Sequence, residues 1–202
     1  MKKILILDNY DSFTYNLVHL VEELALAKVE VFRNDKISVE VCGVYDAIIL
    51  SPGPGLPAQA GIMPELIQKY KNSKPILGVC LGHQALGEAF GATLKNLKRI
   101  YHGIQSEIKL IQKEKGIFKG FPDTIQVGRY HSWVVQQEGI PNEFEVTAIA
   151  EKGIVMAMQH KDLPLTGVQF HPESVMTPDG KKMMENWRSI LFRKPLKTIL
   201  RK

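Results

Sequence analysis

Long hydrophobic runs are missing from this chain. No apolar stretch approaches the roughly 18 residues that a membrane-spanning helix needs, so a membrane location is not expected. The N-terminal run Ile4-Leu5-Ile6-Leu7 stops at Asp8, too early for a secretory leader. Cysteine is scarce as well, with only Cys42 and Cys80 in 202 residues. Two thiols without metal-ligand spacing form neither a disulfide framework nor a thiolate metal site, and they point to a reducing cytoplasm. Cys42, in Val39-Glu40-Val41-Cys42-Gly43-Val44, reads as a small, semi-buried apolar residue. An excess of one charge is also lacking over most of the length. The formal charge is +5, yet Arg193–Lys202 carry five basic residues and no acidic one. The other 192 residues hold 21 basic and 21 acidic side chains. A short basic tail with Leu196, Ile199 and Leu200 between its charges reads as a solvated or docking tail, so nucleic acid is not expected as a partner. Repeats, low-complexity segments and interdomain linkers are absent too. The expectation is one domain over residues 1–192, followed by a basic tail at 193–202.

What is present is a regular alternation of strands and helices. Lys3 to Leu7 is a short continuous apolar run, as in a strand buried on both faces. A polar turn with Ser12 placed to cap leads to a helix over Phe13–Ala27, where Phe13, Leu17, Leu20, Val21 and Leu24 mark one face. Val29–Phe32 and Asp46–Leu50 return to strand character, Ile62–Lys71 to helix and Ile76–Val79 to strand, and Gln84–Phe90 is helical again. Strand-helix-strand units repeated in this way imply right-handed crossovers and a parallel sheet. Shorter links then join strands expected at Glu107–Ile111, Thr124–Arg129, Phe144–Ala150, Ile154–Gln159 and Thr166–Phe170, before a last helix over Asp179–Phe192. The fold class is α/β, a mostly parallel central sheet with helices on both faces and a small antiparallel extension.

The chemistry concentrates at three loops. Gly78-Val79-Cys80-Leu81-Gly82 lies between a buried strand and a helix and has the form of a nucleophile elbow. The positive end of the following helix favours thiolate at Cys80. Ser51-Pro52-Gly53-Pro54-Gly55 follows a parallel strand at the same sheet edge, where such folds bind ligands. The backbone N–H groups of Gly53 and Leu81 are the expected oxyanion donors. Gln169-Phe170-His171-Pro172-Glu173 ends the last strand, and residues two apart in extended chain project together. His171 is thus a candidate base for Cys80, with Glu173 holding its tautomer. Five other histidines compete for that role. His19 fits a helix face, His160 a strand end, and His83 is expected to be committed to the elbow's own turn.

These three blocks together, in order and spacing, resemble the signature segments of class I (triad) glutamine amidotransferases. Asp8-Asn9-Tyr10-Asp11-Ser12-Phe13-Thr14-Tyr15-Asn16-Leu17, Arg129-Tyr130-His131-Ser132, and Pro172-Glu173-Ser174 with Thr177-Pro178-Asp179-Gly180 narrow the resemblance. It is then to the glutaminase subunits of anthranilate synthase and aminodeoxychorismate synthase. Two positions depart from the subgroup, Ile104 where Lys is common and Trp133 where Leu is usual. The resemblance implies a flavodoxin-like fold, L-glutamine as substrate and Cys80, His171 and Glu173 as the triad. It implies glutamine contacts from Gly53, Pro54, Gly55, Gln84, Ser132 and Trp133. It further implies no metal or organic cofactor, and ammonia delivered to a separate chorismate-binding synthase large subunit. Anthranilate is favoured over aminodeoxychorismate as the product. A stand-alone γ-glutamyl hydrolase or peptidase on the same scaffold, and a non-catalytic regulatory subunit, are the competing readings.

Overall fold

The computed structural model describes residues 2–24 and 27–191. The basic tail at 193–202, and helix ends expected at 25, 26 and 192, lie outside these described residues. The first half follows the apolar runs closely. β1 (Lys3–Asp8) leads to α1 (Thr14–Glu23) and β2 (Lys28–Arg33). β3 (Ala47–Leu50) precedes α2 (Met63–Tyr70), and β4 (Ile76–Val79) precedes α3 (Leu81–Glu88). The second half adds β5 (Leu94–Asn96), β6 (Ile104–Leu110), β7 (Thr124–Arg129), β8 (Trp133–Val135), β9 (Phe144–Ile149), β10 (Val155–His160), β11 (Leu165–Val168) and α4 (Gly180–Leu191).

The main sheet runs β2-β1-β3-β4-β11-β10-β9-β6-β7. Neighbours from β2 to β11 are parallel, and those from β11 to β7 are antiparallel. Chain connectivity explains the change, because strands joined by short links can only return antiparallel. Alternation along the inner strands divides the core. Ile4, Ile6, Ile49, Leu77 and Val79 face α1 and α4, packing against Leu17, Val21, Met183 and Trp187. Leu5, Leu7, Ile48, Leu50 and Ile76 face the other way, against Leu66, Ile67, Ala85 and Leu86 of α2 and α3. Strands covered on both faces in this way lose the apolar–polar alternation of a half-exposed sheet and read as continuous apolar runs.

Several local expectations are corrected. Ser12 is exposed and caps nothing; the N-cap position falls on Phe13, whose N–H donates to Asp11 Oδ2 at 2.8 Å. α3 starts at Leu81, not Gln84. Gly82 looks like a helix breaker in sequence, but it lies inside because a Cβ there would come within 2.6 Å of the Leu50 carbonyl oxygen. β11 ends at Val168, where its parallel partner β4 turns away at Cys80. The small β5–β8 ladder has no counterpart in the sequence pattern, since three-residue strands are too short to show a period.

β1 pairs with β2 on one side and β3 on the other, so the winding direction reverses between β1 and β3. A crevice opens at the carboxyl ends of strands at such a reversal. The loops after β1, β3 and β4 all emerge there.

Candidate active site

Cys80 links β4 directly to α3 and adopts φ 51° and ψ −98°. That backbone conformation is strained for a residue with a Cβ, typically by about 1–3 kcal/mol, and it marks a position fixed by its surroundings. The surroundings are the strand on one side, with Cys80 N–H donating to Val168 O at 2.8 Å, and the helix on the other, with Gln84 N–H donating to Cys80 O at 3.1 Å. Leu81 is the first helical residue, so the helix itself has no acceptor for its N–H. The Gly53 loop is pressed against this turn. A Cβ on Gly53 would lie 2.6 Å from the Asn9 carbonyl oxygen and 3.0 Å from Leu81 Cδ2. Asn9 fastens the same loop, because its N–H donates to Ser51 Oγ and its side-chain amide to Ser51 O, each at 2.9 Å.

A cleft of about 260 Å³ opens over Cys80. Gly53, Pro54, Gly55, Cys80, Leu81, Gln84, Ser132 and Trp133, all singled out from sequence, line it together with Tyr130 and His131. Gln84 is held by its amide, whose Nε2 donates to Trp133 O at 2.9 Å and to Gln169 Oε1 at 3.2 Å. Gln169 in turn directs Nε2 at Cys80 Sγ, 3.5 Å away.

His171 and Glu173 lie beneath the cleft wall, their side chains 2% and 0% exposed. His171 Nδ1 meets Glu173 Oε1 at 2.7 Å. The expected strand geometry does not produce this contact. After His171 the chain turns, with Ser174 N–H donating to His171 O at 3.2 Å, and the turn brings Glu173 round to the ring. The Thr177 hydroxyl donates to His171 O at 2.6 Å and accepts from Gly128 N–H at 3.0 Å, tying the turn to β7. Phe13 and Tyr130 stand over the imidazole with ring centroids 5.9 and 4.8 Å away. Burial opposes protonation of His171, but its closeness to Cys80, its hydrogen bond to Glu173 and the negative charge of both outweigh it, although Nε2 itself has no hydrogen-bond partner among the described residues. The pKa is raised to about 10.

The other five histidines have different surroundings, and His102 is exposed with its ring 6.1 Å from that of Tyr130. His83 is fully buried, with its ring packed on Gly167 of β11, and burial pushes it down to about 4. His19 is exposed on α1, and His160 ends β10 among Phe90 and Phe144. His131 is pushed down to about 3 by burial and by the adjacent Arg129. Cys42 is fully buried, beyond the semi-burial expected of it, and burial lifts its thiol to about 11. Among the described residues no group of three or more His, Cys, Asp or Glu is arranged to hold a metal ion.

Sequence reasoning missed the support of the Tyr130–Trp133 wall. Arg129, fully buried, donates to both oxygens of Glu151 at 3.0 Å and through Nε to His131 Nε2 at 3.2 Å. Its guanidinium carbon lies 3.4 Å from the Tyr101 ring centroid, and the Tyr101 hydroxyl bonds Glu151. His131 Nδ1 lies 3.2 Å from Trp133 O. A buried arginine has no sequence signature of its own. Gln169 had one, since it shares the period-2 face of His171.

The sequence model of the family described as "Glutamine amidotransferase class-I" matches residues 5–190. The chain belongs to this family. Among curated relatives, the bifunctional protein TrpGD of Thermotoga maritima is 44% identical over 94% of this chain, which spans only 32% of that longer protein. The aminodeoxychorismate/anthranilate synthase component 2 of Bacillus subtilis is 45% identical, over 91% of this chain and 94% of its own length. Anthranilate synthase component 2 of Mycobacterium tuberculosis is 43% identical, over 92% and 81%. The crystal structure of a Thermoplasma acidophilum protein, assigned only by inference as part of a GMP synthase, superposes with a TM-score of 0.84 at 27% identity. It covers 95% of this chain and 94% of its own. A Thermotoga maritima glutamine amidotransferase matches in fold, with a TM-score of 0.75 at 15% identity over 94% of each chain. The α/β architecture, with its run of parallel strands from β2 to β11, is therefore shared with these structures.

Proposed function

We propose that this protein is the glutamine-hydrolysing subunit of a chorismate-using synthase, with Cys80 as nucleophile, His171 as acid and base, and Glu173 as the group that orients it. The observation that carries the reading is the strained Cys80 on the cleft floor with the His171–Glu173 pair buried behind it. The Cys80 thiolate attacks the side-chain carboxamide of L-glutamine, forming an S–C bond as the carbonyl π electrons move onto oxygen. The Gly53 and Leu81 N–H groups stabilise that oxyanion. The C–N bond then breaks as the His171 imidazolium gives its proton to the leaving nitrogen, releasing ammonia and leaving a glutamyl thioester. Water adds to the thioester, its proton passes to His171, and the S–C bond breaks to release glutamate and regenerate the thiolate. Gly53, Pro54, Gly55, Gln84, Ser132 and Trp133 hold the substrate's amino-acid end.

The names of the relatives support a synthase partner, and we propose chorismate as that partner's substrate. Anthranilate is the favoured product, while the Bacillus relative is named for both synthases. Two buried, unpaired cysteines support a reducing compartment, and we place the protein in the cytoplasm. No helix among the described residues is long and apolar enough to cross a membrane. The test is to mix the chain with each candidate synthase and assay glutamine-dependent product. Formation of anthranilate is the expected result. Aminodeoxychorismate alone would reassign the pathway. Glutamate release from γ-glutamyl peptides, with no synthase accepting its ammonia, would overturn the reading.

A further inference from the structure

We propose that Gln169 is a further catalytic residue, whose side-chain N–H stabilises the Cys80 thiolate and reports to it through Gln84 the state of the glutamine pocket. The inference rests on the reading of Cys80 as nucleophile and adds a residue to it. Gln169 is fully buried, so its amide must be satisfied by protein groups. The direction of its hydrogen bonds follows from one fixed point. Trp133 O can only accept, so the Gln84 group facing it at 2.9 Å is the NH₂. The same NH₂ gives its second hydrogen to the nearer end of Gln169, at 3.2 Å, which must therefore be the oxygen. The Gln169 NH₂ is left facing Cys80 Sγ at 3.5 Å. A donor held there favours thiolate over thiol, and it adds to the helix N-terminus on one side and the His171–Glu173 pair on the other.

The chain of contacts has a second consequence. Trp133 and Gln84 line the cleft, whereas Gln169 does not. A ligand that displaces Gln84 from Trp133 O removes the constraint that orients Gln169. The nucleophile is thereby sensitive to how the amino-acid end of the cleft is filled. No protonation change in the chain itself is required, because both amides are neutral.

The sulfur can be read directly. In the full chain, the rate of iodoacetamide alkylation at Cys80, followed by peptide mass spectrometry, gives the thiol titration midpoint. Gln169→Met is expected to raise that midpoint by about one pH unit, a tenfold loss of thiolate at any pH well below the wild-type midpoint. The kcat for glutamine hydrolysis with a synthase bound, measured below that midpoint, should fall about as far. Gln84→Met is expected to shift the midpoint the same way, and the double variant should not exceed Gln169→Met alone, since both act on one donor. Gln169→Glu keeps the shape, places an acceptor against the sulfur, and is expected to give the largest shift. It also serves if the Met variant does not fold. A folded Gln169 variant with an unshifted midpoint overturns the proposal. Failure of the underlying reading looks different: Cys80→Ala would retain glutaminase activity, whatever the midpoint does.

Discussion

At φ 51° the Cβ of Cys80 crowds the neighbouring backbone, so the proposed nucleophile is also the side chain that strains the turn. Replacing it with glycine removes the Cβ, while replacing it with alanine removes only the sulfur. Cys80→Gly should be more stable than Cys80→Ala by about 1 kcal/mol in urea unfolding, after allowing for glycine's larger unfolded-state entropy. Both should be inactive. The histidines make a second residue-level prediction. His131 Nε2 accepts from Arg129, which can only donate, so its proton is on Nδ1 and faces Trp133 O. Protonating Nε2 would break that contact. His83 and His131 have folded pKa values of about 4 and about 3, below the ordinary value near 6.5, so the unfolded chain binds protons that the folded chain does not. Their stabilising contribution is complete above pH 6.5 and declines as pH falls through the folded values. The slope approaches roughly 2.7 kcal/mol per pH unit if both titrate. His171 has the opposite sign, with a contribution complete below pH 6.5 and lost as pH rises through about 10. Unfolding free energy measured against pH should therefore peak near neutrality, and His171→Gln should flatten the alkaline limb alone. The residues proposed for this chemistry stand out in the sequence where a local pattern imposes them. Cys80, Gly53 and His171 sit in short blocks whose backbone demands show in the letters. Arg129 and Glu151 do not stand out, because their partnership spans 22 residues and depends on how β7 faces the turn after β9.

Elements position the site through their ends. β3 and β4 deliver the Gly53 loop and Cys80 to one edge, and α3 starts within one residue of the sulfur. The wall at Tyr130–Trp133 is different, because it joins β7 to β8 and is held from behind by Arg129. Removing each partner of that ion pair should have unequal effects. Arg129 is fully buried and Glu151 is 46% exposed. Glu151→Ala leaves a buried guanidinium without its carboxylate and should cost on the order of 3 kcal/mol. Arg129→Met leaves a carboxylate that water can reach, and should cost less in thermal or urea unfolding. Equal losses would show that the pair, and not the buried charge, sets the energy. Strong apolar runs fixed the inner elements in the sequence almost to the residue, as Ile76–Val79 shows. Element ends were less legible. Gly82 is inside α3 because of Leu50, a neighbour 32 positions earlier that no local window contains.

On the scale of the whole molecule, one sheet with two apolar faces explains both the stability and the site. The two core clusters share the same strands, and we propose that residues 1–192 fold as one unit around them. The reversal of winding between β1 and β3 leaves the crevice into which the reactive loops converge. The cleft is small, and its base is a thiol backed by a buried imidazole and carboxylate, an arrangement suited to one amide group and one water at a time. Every step of the proposed chemistry passes through Cys80. The most direct test of that role is glutamate release from L-glutamine by the synthase-bound protein, compared between wild type and Cys80→Ala, with ammonia-dependent synthesis by the same complex as the measure of intact assembly. A fall of about a thousandfold or more in glutamate release, with ammonia-dependent synthesis unchanged, is the predicted result. Glutamate release by Cys80→Ala within about tenfold of wild type would contradict it.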